Sequence, residues 1–158
     1  MIARMEKLVG MVIGLLKKLD WVALLVTRLT LGILFVSTGW GKVHNLAKIT
    51  DYFVELKIPA PGFNAVLVSY TELLCGGLLI LGLASRFASI PLMVTMVVAL
   101  ISAKASEVHG LPDLFGQIEW TYFAMLFVIV AFGPGKVSLD TLFTKKRSVV
   151  PAQTPAHA

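Results

Sequence analysis

Four long apolar blocks dominate the sequence and restrict its fold more than any other feature. They occupy about residues 21–40, 64–83, 87–104 and 118–132. An α-helix rises 1.5 Å per residue, so about 20 residues cross a hydrocarbon layer about 30 Å thick. We therefore predict an all-α integral membrane protein in which the blocks form a four-helix bundle. The fourth block is the shortest and is expected to tilt little.

The composition agrees with a lipid environment and excludes several other classes of protein. Of the 158 residues, 57% are hydrophobic and 15% are charged, which is too apolar for a soluble domain. The formal charge is +5, but the basic residues lie at the ends of the blocks, so we predict the lipid bilayer and not nucleic acid as partner. Cys75 is the only cysteine, which excludes a CxxC pair within one chain.

The two ends of the chain differ from the membrane domain, which we place at residues 21–143. Within residues 1–20, apolar side chains recur at helical spacing opposite lysines, as in an amphipathic helix that lies in the membrane interface. An extension of the first span is the alternative. Residues 144–158 are basic and then rich in proline and alanine, which predicts a disordered tail.

The distribution of lysine and arginine predicts the orientation in the membrane. One side of the predicted bundle carries most of them, namely Arg4, Lys7, Lys17, Lys18, Arg86, Lys136, Lys145, Lys146 and Arg147. The other side carries Lys42, Lys48, Lys57 and Lys104. Because basic residues collect in cytoplasmic segments, both termini are predicted to be cytoplasmic.

Two charged residues fall inside the predicted spans, Arg28 in the first and Glu72 in the second. Each costs at least about 2.5 kcal/mol to insert, so we expect them to be paired. Measured from the inner ends of their blocks, they lie at depths of roughly 10 Å and 16 Å, within the reach of an arginine side chain. An Arg28–Glu72 pair is therefore predicted, either as a clasp between helices or as the lining of a pocket for a quinone headgroup, a proton or a small anion.

Other candidate residues share a face with this pair or lie at the outer end of the bundle. The pocket candidates are Gly32, Phe35, Gly39, Lys42, Ser69 and Gly76. Small residues among them would let the first two spans approach closely. The outer-face candidates are Trp40, His44, Lys104, Glu107, His109 and Glu119. An aromatic belt and solvated loops explain most of the outer group, although it could bind a headgroup or a partner. No ligand spacing supports a metal site, and no catalytic residue is predicted.

The run from Arg28 to Lys42, RLTLGILFVSTGWGK, resembles the first span of the DoxX family, which reads roughly R-x-x-x-G-x-x-F-x-x-x-G-x-x-K. Glu72 and the glycines that follow it, up to the turn ending at Arg86, are similar to the second span of that family. The resemblance covers about residues 28–142. It implies a four-helix protein of the bacterial inner membrane, related in fold to the DoxD subunits of thiosulfate:quinone oxidoreductases.

The resemblance and the buried charges together lead to a functional expectation. We expect an accessory subunit of a quinone-linked membrane redox system, which holds no intrinsic cofactor but binds a quinone and a redox partner. Catalysis by the chain alone is not expected, because the sequence contains no Walker loop, HExxH motif or supported Ser/His/Asp arrangement. The alternative is a non-enzymatic scaffold or small-molecule carrier. The sequence leaves the oligomeric state open.

Overall fold

The computed structural model describes residues 2–141, with side chains described at Met5, Leu19 and from Trp21 onward. The helices are α1 (Ile2–Val43), α2 (Leu46–Glu55), α3 (Pro61–Leu81), α4 (Ser85–Ser102), α5 (Leu111–Gly116) and α6 (Ile118–Phe132). The described part of the chain contains no strand. The predicted all-α membrane fold is confirmed. The predicted tail at residues 144–158 lies outside the described residues.

Within residues 2–141, three helical segments are long and apolar enough to cross a membrane: Trp21–Val43, Pro61–Leu81 and Ser85–Ser102. The fourth apolar helix, α6, has 15 residues and is shorter, as its sequence block indicated. The predicted boundary between residues 20 and 21 falls within α1, which continues without a break from Ile2. We call the end of the bundle that contains Val43 and Ser102 outer and the opposite end inner, following the predicted orientation.

The two central helices α1 and α3 pack with their backbones in contact. A Cβ atom added to Gly39 would lie 2.5 Å from the amide nitrogen of Leu73, and one added to Gly76 would lie 2.8 Å from that of Val36. Neither distance is tolerated by a real side chain. At Gly32, an added Cβ would lie 3.0 Å from the carbonyl oxygen of Gly76. These glycines therefore allow the close helix crossing that small residues provide in membranes.

The core joins α1 and α3 to the α4–α6 hairpin through buried aliphatic and aromatic side chains. Its fully buried members are Leu31, Phe35, Leu79, Leu92, Leu126 and Ile129. The ring of Phe35 meets that of Tyr122 from α6 edge to face, with centroids 6.2 Å apart. This arrangement suits the quadrupoles of two aromatic rings. Phe35 thus belongs to the interior of the bundle.

The glycine contacts define the register of α1 against α3. Gly32 lies opposite the turn from Gly76 to Ile80, and Gly39 lies opposite the turn from Ser69 to Leu73. The helices are antiparallel, so Arg28 lies level with Gly82, where an added Cβ would be 2.6 Å from the Arg28 Nη1 atom. Gly82 adopts a left-handed conformation (φ 68°) and ends α3, so Arg28 lies at the inner end of the bundle.

Two adjacent glycines test whether this backbone contact holds the bundle together. We expect Gly76→Val to lower the free energy of unfolding by about 1–3 kcal/mol, because the added side chain overpacks the crossing. Gly77→Val is the matched control, since no atom of the described residues lies within 4 Å of a Cβ added there. Unfolding in mixed micelles with increasing SDS would measure both. Equal destabilisation by the two variants would contradict the described crossing.

Candidate functional site

Glu72 lies in the interior of the bundle near the middle of α3, where its carboxylate is fully paired. The residue is 2% exposed. The Lys42 Nζ atom donates to Oε1 at 2.5 Å, and the Thr38 hydroxyl donates to Oε2 at 3.0 Å. Thr38 and Lys42 are four residues apart on α1, so both side chains project from one helix face toward α3. The pair neutralises a negative charge that would otherwise be costly in the membrane.

The predicted pair between Arg28 and Glu72 is wrong. The prediction measured depth from the assumed ends of the apolar blocks, which placed the two charges about 6 Å apart along the membrane normal. The glycine register instead sets Arg28 level with Gly82, and Glu72 lies about 15 Å further out along α3. That offset exceeds the reach of the arginine, and Lys42 takes its place.

Arg28 instead binds the segment that follows α6. Its Nη1 and Nη2 atoms donate to the carbonyl oxygens of Pro134 and Val137, at 2.6 and 2.7 Å. Arg28 is 3% exposed, and this segment is non-helical where it meets the end of the bundle. Backbone carbonyls outside a helix need a donor at membrane depth, and the guanidinium supplies two. The arginine therefore ties α1 to the segment after α6.

Asp140 completes the inner cluster and was missed by the sequence analysis. Its carboxylate accepts hydrogen bonds from the amides of Ala84 and Ser85, at 2.7 and 3.2 Å, and so caps α4. Its own amide donates to the carbonyl oxygen of Gly82 at 3.0 Å. An acid that caps a helix from 55 residues away has no local sequence signal, because the usual N-cap residue directly precedes its helix.

A shallow, open cavity of about 510 Å³ lies at the outer end, between the end of α1 and the start of α2. Its walls are formed by Ser37, Thr38, Gly41, Lys42, Asn45, Lys48 and Ile49. Of the predicted pocket residues, Lys42 lines this cavity, whereas Gly32, Gly39, Ser69 and Gly76 lie in the helix crossing. Asn45 and Lys48 follow Lys42 by three and six residues and were missed, because the sequence does not show that α1 ends at Val43 and the chain turns there into α2.

Two of the predicted outer-face residues, Trp40 and His44, form a local stack at the end of α1. Their ring centroids are 4.4 Å apart, and His44 Nδ1 lies 2.9 Å from the carbonyl oxygen of Trp40. Trp40 is 59% exposed, as expected for an aromatic anchor at a membrane interface. The two residues lie one helical turn apart, and this contact accounts for their positions without a ligand.

The other outer-face residues lie near the α4–α6 connection. Lys104 Nζ donates to Glu107 Oε1 at 2.9 Å, and this hydrogen bond raises the pKa of Lys104 and lowers the pKa of Glu107. The amide of His109 donates to Asp113. Glu119 Oε2 is buried and has no hydrogen-bond partner among the described residues. Among residues 2–141, no three His, Cys, Asp or Glu side chains are grouped to hold a metal ion.

The fold and the two polar clusters define a small multi-pass helical membrane protein. Comparison with known proteins assigns the chain to the DoxX family, which matches residues 23–105, and so confirms the resemblance seen in the sequence. The chain is 31% identical to the uncharacterized membrane protein Rv3486 of Mycobacterium tuberculosis over 80% of this chain and 84% of that protein. It is 28% identical to the inner membrane protein YqjF of Escherichia coli over 83% of this chain and 99% of that protein. No solved structure matches the chain significantly.

Removing the Arg28 guanidinium should release the segment after α6. Arg28→Gln leaves at least one of two carbonyls without its donor, and hydrogen bonds to charged groups contribute about 1.5–3 kcal/mol each. We expect the free energy of unfolding in detergent to fall by about 3 kcal/mol. Arg86→Gln is the matched control, since that exposed arginine makes one long hydrogen bond of 3.4 Å. A smaller loss for Arg28→Gln than for Arg86→Gln would contradict this role.

Proposed function

We propose that this protein is an accessory subunit of a quinone-linked redox system in the bacterial inner membrane, and that it holds a quinone headgroup in the outer cavity. Three features support the proposal: the chemistry of the cavity wall, its position in the membrane, and the family to which the chain belongs. The first of these carries the argument.

The Lys42 ammonium group is the feature that fits a quinone. It has three donors, of which Glu72 takes one, and its side chain is 30% exposed on the cavity wall. A quinone carbonyl needs such a donor. Because Glu72 balances the charge of Lys42, the ammonium group can donate to an uncharged carbonyl oxygen, while Lys48 keeps a positive charge on the same wall. The hydroxyl group of Ser37 supplies a further donor on the same wall.

The position of the cavity suits a ligand that arrives through the bilayer. Lys42 lies near the outer end of α1, and Asn45 together with Lys48 and Ile49 of α2 forms the opposite wall. A quinone is apolar with a polar ring, so it partitions into lipid and presents its carbonyls near the interface. A volume of about 510 Å³ lies within the usual range for small-molecule sites.

An accessory role follows from the chemistry that the chain can supply. With one cysteine, it cannot form a thiol pair, so the electrons must come from a partner protein. The inner-membrane location is supported by the similarity to the inner membrane protein YqjF, and cytoplasmic termini by the distribution of lysine and arginine.

The close packing of α1 on α3 argues against a carrier. A substrate that crossed the bundle along this interface would have to separate Gly32 from Gly76, whose backbones touch. A scaffold without a ligand is the remaining alternative. It would purify with a stoichiometric partner and without quinone.

The proposal is tested by adding a short-chain ubiquinone to the purified protein in mild detergent. At a concentration 100 times its Kd, we expect the quinone to stabilise the folded state by about 2.7 kcal/mol. The double variant Lys42→Met/Glu72→Leu removes the donor without leaving a buried charge, and should weaken binding about tenfold or more. Lys57→Met, on an exposed outer lysine, should leave binding unchanged. The absence of both stabilisation and quinone in the native extract would overturn the proposal.

A further inference from the structure

Two side chains separate the buried carboxylate of Glu72 from the outer cavity. Glu72 is 2% exposed and does not line the cavity, whereas Thr38 and Lys42 line it and both bind the carboxylate. Thr38 is itself exposed. A proton that moves between the cavity and Glu72 along hydrogen bonds therefore passes through one of these two groups.

The chemistry of the two groups differs. A lysine ammonium has donors and no acceptor, so it can pass a proton only by losing its charge beside a carboxylate. A hydroxyl group has both a donor and acceptor lone pairs, so it can accept a proton on one side while it donates on the other. The Thr38 hydroxyl is thus the better relay, and Lys42 is a positioning residue.

A second acceptor lies within reach of the same hydroxyl. Thr38 Oγ1 is 3.0 Å from Glu72 Oε2 and 3.2 Å from the backbone carbonyl oxygen of Phe35. When Glu72 is ionised, the hydroxyl donates to the carboxylate. When Glu72 is protonated, its own O–H can donate to Thr38 Oγ1, and the threonine hydrogen can turn to Phe35. The hydrogen bonds of the Glu72 carboxyl group are therefore satisfied in both protonation states without moving a helix. When Glu72 is protonated, Lys42 loses its counter-ion, but its side chain is 30% exposed on the cavity wall.

The crossing of α1 and α3 closes the route toward the inner end. Gly76 lies one turn inward of Glu72, and an added Cβ there would be 2.8 Å from the backbone of Val36. Lys42 is the charged side chain that contacts Glu72, while Arg28 lies about 15 Å away. Both side chains that bind the carboxylate, Thr38 and Lys42, line the outer cavity, so its hydrogen bonds in the described part of the chain lead outward.

We propose that Glu72 exchanges a proton with the outer cavity through the Thr38 hydroxyl. In the step toward Glu72, the O–H bond of Thr38 breaks as its proton passes to Glu72 Oε2, and a proton from the cavity forms the new O–H bond at Oγ1. The step moves a proton and no electrons. It deepens the proposed function by naming the group that would supply or accept a proton beside a quinone, yet it requires no bound ligand.

Infrared difference spectroscopy on the full chain in phosphatidylcholine nanodiscs tests this inference without quinone. The C=O band of the protonated Glu72 carboxyl group is assigned by its loss in Glu72→Gln. The rate at which this band changes in intensity after a pH jump is then measured. We expect Thr38→Val, which removes the relay, to slow this response at least about tenfold. Thr38→Ser should respond within about threefold of the unaltered protein. Thr30→Val, an exposed threonine on the same helix, is the matched control and should have no effect.

The inference is overturned if Thr38→Val responds as fast as the unaltered protein. It is equally overturned if no band assignable to Glu72 appears over the pH range in which the protein stays folded. The quinone titration separates these outcomes from the proposed function. A relay without quinone binding contradicts only the proposed function, and quinone binding with an unaffected Thr38→Val contradicts only the relay.

Discussion

The contact between the backbones of α1 and α3 is the constraint on which the rest of the structure depends. Lipid offers little hydrophobic driving force between helices, so close packing must hold them together, and only glycine permits an approach this near. The contacts of Gly39 with Leu73 and of Gly76 with Val36 fix the register of α1 against α3. That register decides which polar side chains meet, because each charged group can reach only partners at its own level.

Two polar clusters follow from this register, and their surroundings differ. The inner cluster of Arg28 and Asp140 binds backbone groups: carbonyls of the segment after α6 and amides at the start of α4. Its donors and acceptors serve to join segments of the chain. In the outer cluster, Lys42 and Glu72 bind each other through their side chains, and the cluster adjoins a cavity. The outer cluster is therefore the one beside an open space, while the inner cluster connects segments of the chain.

Much of the fold could be predicted from the sequence, because span length and hydrophobicity are local properties. The apolar blocks, the buried charges and the small residues of the crossing are all visible in the residues themselves. The partner of each charge could not be predicted, because it depends on the relative height of two helices. α1 continues inward past Trp21, so the apolar block starting there gave a false origin for the depth of Arg28. Asp140 was missed for a related reason, since only the complete fold brings it to α4.

The most direct test of this account is to establish which residue pairs with Glu72. Swapping the charges of Glu72 and each candidate partner, Lys42 or Arg28, distinguishes the two. Lys42→Glu combined with Glu72→Lys keeps one ion pair at the same level, so the double variant should recover most of the stability in detergent that either single variant loses, about 3–5 kcal/mol. Arg28→Glu combined with Glu72→Arg should recover none, because the two positions lie about 15 Å apart. Recovery in the Arg28 pair and not in the Lys42 pair would contradict the register and the separation of the two clusters.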